Sequence, residues 1–232
     1  MILLAIETAT DVASAALLED EALIASLAFR AQRDVCRRLL ADVEAMMART
    51  AIPRESIAAV AVGRGPGSFT GMRIGVAIAK GLSLALGAPL FGISTLAACA
   101  YPALGAGGLA CALIPAHGDE LYTGIFRADE ALTPIAEGIW PASRLMCHLS
   151  QLGEKVTFVA GGAQVRQLLP LTELTVEHRF LPAGLVSHLA CWVGLLAQRR
   201  IAAGDAGDGI GLAPVYLRPS QAEMQLGPGT QS

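Results

Sequence analysis

Five glycines fall within the thirteen residues Gly63-Arg64-Gly65-Pro66-Gly67-Ser68-Phe69-Thr70-Gly71-Met72-Arg73-Ile74-Gly75, where average usage gives about one. The run lies between a short apolar stretch, Ile57 to Val62, and a long helix-like stretch, Ile74 to Leu86. Strand, glycine turn and helix in that order prescribe a unit whose turn backbone lets another group come close. That group is a phosphate, another part of this chain, or another chain. The spacing is neither a P-loop nor a dinucleotide fingerprint, because Met72 stands where a P-loop has lysine. Ser68 or Thr70 is placed to cap the helix, whose dipole offers weak anion affinity. Gly71, Gly75 and Ala79 recur every four residues, a smooth strip suited to a close-packed partner.

The chain before the run reads as a buried strand, Leu3 to Ile6, and a hairpin, Val12 to Leu18 and Ala22 to Phe29, around the acidic turn Glu19-Asp20-Glu21. The strand ends in Glu7-Thr8-Ala9-Thr10. A carboxylate and two hydroxyls there can hold a magnesium-bound water and phosphate oxygens, or simply make turn hydrogen bonds. From Asp34 to Arg49 the period is helical, with Leu39, Val43, Met46 and Met47 on one face. A strand over Leu90 to Ile93 and a helix opening near Ser94 or Thr95 follow.

The second half starts at Leu109 after the loose Gly105-Ala106-Gly107-Gly108. Sliding the chain by 109 positions lays Leu4 on Leu113 and Val12–Leu17 on Leu121–Phe126. A strand and hairpin in both halves suggest a duplicated α/β unit, 1–104 and 105–232. Glu7 and Thr8 fall on Ala116 and His117, so the duplicate lacks the acid a two-sided phosphate clamp would use. Further on, Lys155 to Ala160 reads as a strand, Ala163 to Leu169 as a helix and Pro182 to Arg200 as a long apolar helix. The tail after Arg218 is polar and reads as loosely ordered.

Composition limits the function. The chain is 53% hydrophobic and 16% charged, enough to bury a sizeable core. Its net charge of −3 and 5% aromatic content supply neither a basic field nor many base-stacking rings. Arg30, Arg33, Arg37 and Arg38 form a basic cluster in which Arg30, Arg33 and Arg37 would share a face if helical, as an RNA or acidic-partner patch or as a solvated face eased by Asp34. Cys36, Cys99, Cys111, Cys147 and Cys191 are too scattered for a zinc knuckle or redox motif; they read as thiols in a reducing cytosol. His117, His148, His178 and His188 form no HExxH or HxxxH pair, although Asp119 and Glu120 stand beside His117. No basic leader precedes the first strand. Ile74 to Ile93 has the length of a membrane span, but Lys80 and Pro89 interrupt it. No membrane association is expected.

With these motifs laid out, the chain resembles the TsaB family. Ile2 to Thr10 looks like that family's first strand and phosphate-type turn, and Gly63 to Gly75 with Val76-Ala77 like its signature. Gly92-Ile93-Ser94-Thr95-Leu96 and Pro214-Val215-Tyr216-Leu217-Arg218 are similar too. The chain departs from the family's frequent His-Ser at Val35-Cys36, and from its frequent Asp-Ala-Arg at Pro115-Ala116-His117. The resemblance implies an actin-like ATPase fold of two RNase H-like halves. It also implies a cytoplasmic, noncatalytic dimerisation subunit. Such a subunit pairs with itself or with the catalytic paralogue TsaD, joined by the small ATPase TsaE. Together these move a threonylcarbamoyl group from its adenylate to the adenosine 3′ of the anticodon, so tRNA is met through the complex.

In that reading Gly63, Arg64, Gly65, Pro66, Gly67, Ser68, Phe69, Thr70, Gly71, Arg73, Ile74 and Gly75 form the partner seam. Glu7, Thr8 and Thr10 are a vestigial nucleotide turn. No metal and no tightly bound cofactor is expected on this chain alone, with ATP or ADP placed at the partner interface. The rival reading is an actin-like-fold phosphotransferase using Glu7 and Thr8 for Mg-ATP; a metalloprotease is a more distant one.

Overall fold

In the computed structural model, residues 1–31, 34–129, 131–160 and 164–218 are described. The first half contains β1 (Ile2–Glu7), β2 (Val12–Glu19), β3 (Ala22–Arg30), α1 (Val35–Arg49), β4 (Ile57–Gly63), α2 (Phe69–Leu86), β5 (Leu90–Ile93) and α3 (Thr95–Ala100). The second contains β6 (Leu109–Pro115), β7 (Glu120–Arg127), β8 (Pro134–Pro141), α4 (Ala142–Leu152), β9 (Val156–Ala160), α5 (Val165–Leu168), β10 (His178–Phe180) and α6 (Leu189–Ala202).

The duplication is plain in the topology. The first sheet runs β3-β2-β1-β4-β5 and the second β8-β7-β6-β9-β10. In each, the first strand is antiparallel to the second and parallel to the fourth. Val12–Leu17 shifted by 109 positions lands inside β7, as the sequence comparison proposed.

Alternation along each strand divides the core into three. Leu4 and Ile6 point to α1 and α2, while Leu3 and Ala5 point to α3 and α6. In the second sheet Leu109, Cys111 and Leu113 face α4 and α5, while Ala110, Ala112 and Ile114 face the first half. The central layer is rich in alanine: Ala5, Ala16, Ala59, Ala61, Ala98, Ala110, Ala112, Ala190 and Ala197 are each about fully buried. Small side chains there let two sheets share α3 and α6 at close range.

Some bounds differ from those read in the sequence. α2 begins at Phe69 rather than Ile74, because the Ser68 side chain accepts from Gly71 N and starts the helix early. Gly87, at φ 63°, ends it. The segment from Pro182 to Arg200 splits into a 3₁₀ turn at Ala183–Val186 and α6. The helix expected over Ala163–Leu169 is the short α5, with Ala163 outside the described residues. The expected arginine face does not form, because β3 runs on to Arg30 and α1 begins only at Val35. Arg33 and the tail from Pro219 onward lie outside the described residues. The division at residue 104 assigns α6 to the second half, whereas in the structure α6 packs on β1, β2, β4 and β5.

A glycine turn seated on a buried carboxyl

Glu7 is the last residue of β1 and is 0% exposed. Its carboxylate accepts hydrogen bonds from Ala9 N and, at 3.0 Å, from Thr95 Oγ1. Burial pushes its pKa up to about 7, against the lowering effect of the donors from Ala9, Thr95 and Thr8. Thr95 Oγ1 in turn accepts from Gly65 N at 3.1 Å, and Thr95 N donates to Gly65 O at 2.9 Å. Glu7, Thr95 and the glycine turn are therefore one network, joining the ends of β1 and β4 to the start of α3.

The turn itself lies flat on the β1–β2 turn. Ser68 N donates to Ala9 O at 2.7 Å, and Thr8 Oγ1 donates to Gly71 O at 2.7 Å. The glycines are needed for contact. A Cβ on Gly67 would run into Ala9 O, one on Gly71 into Thr8 O, and one on Gly75 into Thr8 Oγ1. Gly65 adopts φ 105°, the left-handed region that glycine favours, and abuts Met72 and Val215 O.

This corrects the expected use of the small-residue strip. Gly71, Gly75 and Ala79 do not face outward. Gly75 and Ala79 are buried and Gly71 is half-buried, all turned to the first sheet. The face of α2 that stays open is the opposite one: Thr70, Arg73, Ala77, Gly81 and Leu84 are exposed and Ile74 is half-buried. Leu84 is 69% exposed. Among the described residues, α2 is long and apolar enough to cross a membrane by length and composition alone. Here its inner side packs on β4 and β1.

The remaining signature residues gather at the N-terminal end of α2 with the last described segment. Arg64 O accepts from Val215 N at 2.8 Å, and Arg64 Nε is buried without a partner. Arg73 Nε donates to the Tyr216 hydroxyl at 2.9 Å, and its guanidinium lies 3.8 Å from the Phe69 ring centroid. Phe69 and Tyr216 are 5.0 Å apart. Pro66 is buried; Ser68 and Thr70 are exposed. Beneath the segment, Arg200 bonds Asp205 at 2.7 Å, Asp208 at 3.0 Å and Gly92 O at 3.0 Å, while Asp208 accepts from Gly92 N. Arg218 pairs with Glu120 at 3.1 Å, tying the segment to the second half.

Thr10 is apart from this network. Its hydroxyl donates to Val12 O at 3.0 Å, and it lines a cleft of about 610 Å³ between the halves with Asp11, Arg30, Gln164, Gly184 and Ser187. Glu7 and Thr8 do not line that cleft, so the structure separates Thr10 from the two residues with which it was grouped in the sequence. Ala116 N and Glu120 close the equivalent turn of the second half. Among the described residues, no three His, Cys, Asp or Glu side chains gather as metal ligands.

Sequence reasoning missed Thr95 as the partner of Glu7, and Arg200 with Asp208 as the clamp under the segment. For Thr95 a signal existed, a Ser-Thr pair opening a helix. For Arg200 the pairing depends on a tertiary approach to Gly92 that no local pattern reports.

Comparison with known proteins gives a consistent picture. The family model described as TsaD, tRNA N6-adenosine threonylcarbamoyltransferase, matches residues 29–193. The chain is 38% identical over 142 residues to the tRNA threonylcarbamoyladenosine biosynthesis protein TsaB of Escherichia coli strain K12, spanning 60% of this chain and 58% of that protein. It is 26% identical to the TsaB of Bacillus subtilis strain 168 over 97% of both chains. Among solved structures, YeaZ from Pseudomonas aeruginosa superposes with a TM-score of 0.77 at 28% identity, covering 93% of this chain and 99% of that one. An inorganic polyphosphate/ATP-glucomannokinase from Arthrobacter, at TM-score 0.54 and 14% identity over 85% of this chain and 99% of that one, shares the fold alone. The fold is the actin-like ATPase fold, with two RNase H-like halves.

Proposed function

This chain belongs to the TsaD family, on its TsaB branch, and we propose that it is the noncatalytic dimerisation subunit of a tRNA-modifying assembly. The assembly transfers threonylcarbamoyl from its adenylate to the adenosine 3′ of the anticodon. In this reading the catalytic paralogue TsaD docks on the open face of α2, TsaE joins the pair, and tRNA is met through the complex. Any ATP or ADP sits at the partner seam. The chain works in the cytoplasm.

One observation carries the noncatalytic part. The carboxyl that would hold magnesium and phosphate, Glu7, is sealed under the glycine turn by Ala9 N and Thr95 Oγ1. A fully buried group whose two oxygens each already accept a hydrogen bond, and whose pKa burial has raised to about 7, is poorly suited to hold a hydrated cation. The docking part is supported by α2. An exposed face of small and apolar residues between Arg73 and Leu84 has the apolar centre and polar rim of an obligate interface.

Two experiments test the reading. Co-purification with TsaD checks the docking. Assay of tRNA modification with and without this chain checks the role: the reading predicts activity only with both, and full activity from TsaD and TsaE alone would overturn it.

A further inference from the structure

The parallel strands β9 and β10 start side by side, with Val156 paired to His178 and Thr157 to Arg179. Lys155 stands just before β9 and Glu177 just before β10, and Val156 N donates to Glu177 O at 2.9 Å. Between the two strand starts is a pocket of about 70 Å³, lined by Lys155, Thr157, Glu177, His178 and Arg179. Pockets for whole small molecules run to about 300–1,000 Å³. This one has room for a single small group and not for a base or a sugar.

Its donors are held in place and not used up. Arg179 Nε donates to Thr157 Oγ1 at 3.1 Å, which steadies the guanidinium and leaves its two terminal nitrogens open. Thr157 is 3% exposed, and among the described residues its own hydroxyl hydrogen has no acceptor. Lys155 lies along the loop before β6: a Cβ on Gly108 would run into Lys155 O and Cγ, and one on Gly107 would touch its Nζ. The acid next to it in the chain, Glu154, is taken, because both its oxygens accept from Arg127 at 3.1 Å. Among the described residues neither Lys155 nor Arg179 forms an ion pair.

An ammonium, a guanidinium and a buried hydroxyl thus line one small space, and each has hydrogens to give. We infer that this pocket binds a phosphate group with three terminal oxygens, as inorganic phosphate or as the end of a phosphate monoester. Three donor groups call for three acceptor oxygens, which such a phosphate has and a carboxylate lacks. Two fixed cations also match its charge, and charge-assisted bonds are the strong ones. Glu177 is exposed at the rim. Its carboxylate disfavours a bare anion there and accepts from a hydroxyl, so it favours an ester with a hydroxyl near its phosphate. None of these residues belongs to α2 or to the network around Glu7, so the inference is independent of how TsaD binds.

Amide NMR of the full chain, titrated with inorganic phosphate, glycerol 3-phosphate and acetate at constant ionic strength, tests it. The expected result is saturable movement of the Gly107, Gly108, Thr157 and Arg179 amides with either phosphate, at a dissociation constant of about 1 mM or below, and none with acetate. Lys155→Met and Arg179→Met should each raise that constant about tenfold. Both side chains are exposed, so the rest of each spectrum should stay unchanged. Glu177→Gln should tighten inorganic phosphate and erase any preference for glycerol 3-phosphate. Tighter binding of glycerol 3-phosphate by the wild-type chain identifies an ester as the ligand, and equal binding identifies free phosphate; either supports the site. No saturation by about 20 mM phosphate, acetate acting as phosphate does, or Lys155→Met and Arg179→Met without effect would each overturn the inference.

Discussion

Glu7 and Gly63 compete for the same space: a Cβ on Gly63 would fall inside the Oε2 atom of Glu7. β1 and β4 are neighbouring parallel strands, and at their ends one residue gives up its side chain so the next strand's carboxyl can lie inside. The glycine run is thus first a lid on a buried acid. Its two sides have separate uses, the inner one packed on Thr8 and Ala9 and the outer one open along α2.

Substituting the inner glycines should damage the fold itself. Gly75→Leu drives a side chain into Thr8 Oγ1, and Gly71→Ala drives one into Thr8 O. Overpacking of this kind costs about 1–3 kcal/mol where neighbours can shift, and backbone atoms shift least. Thermal unfolding should show both variants melting several degrees lower, with Gly75→Leu the worse. An unchanged Tm for Gly75→Leu would mean the strip is not packed as described.

Glu7 should leave a mark on the pH dependence of stability. Its pKa is raised from 4.5 to about 7 by burial, so the folded state holds its proton more tightly than the unfolded chain. Stability from this group is therefore fully present below about pH 4.5 and is lost as pH rises through about 7, a difference on the order of 3 kcal/mol. Glu7→Gln keeps the acceptor for Ala9 N and carries no charge to bury. The gap in unfolding free energy between the variant and wild type should widen in the variant's favour from about pH 5 to about pH 7.5. The buried Cys99, pushed up to about 12, does not titrate in that window. Parallel pH profiles would contradict the assignment.

Arg200 holds the last described segment against the first sheet through Asp205, Asp208 and Gly92 O. Removing it leaves the Gly92–Asp208 link as a carboxylate without its cation. Arg200→Ala should lower stability by about 1–3 kcal/mol and expose the segment around Val215 to proteolysis before the core unfolds. Equal protease resistance in both proteins would show that the segment is held by other contacts.

Much of the fold was legible before any coordinates. Strands β1 to β5 and the repeat were marked by apolar runs and turn residues at matched spacing. β8 and α4 gave weaker signals: β8 is bounded by prolines and half-exposed, so its alternation is faint. The candidate site was legible in its residues but not in its orientation. A helix repeat of Gly71, Gly75 and Ala79 marks a face made for close approach, and period alone does not say whether the approaching group is Thr8 of the same chain or a partner. The buried state of Glu7 was likewise hidden, since Thr95, which completes its bonding, lies 88 residues away.

The central claim is that the outward face of α2 is where the catalytic paralogue docks. Ala77 lies at the middle of that face and is exposed, so Ala77→Glu places a charge in the seam without touching the inner packing. Gel filtration of the variant mixed with TsaD is the most direct measurement. The account predicts a variant with wild-type circular dichroism that elutes apart from TsaD and fails to support tRNA modification, while the wild-type chain co-elutes and supports it. Co-elution of Ala77→Glu with TsaD at wild-type affinity would contradict it.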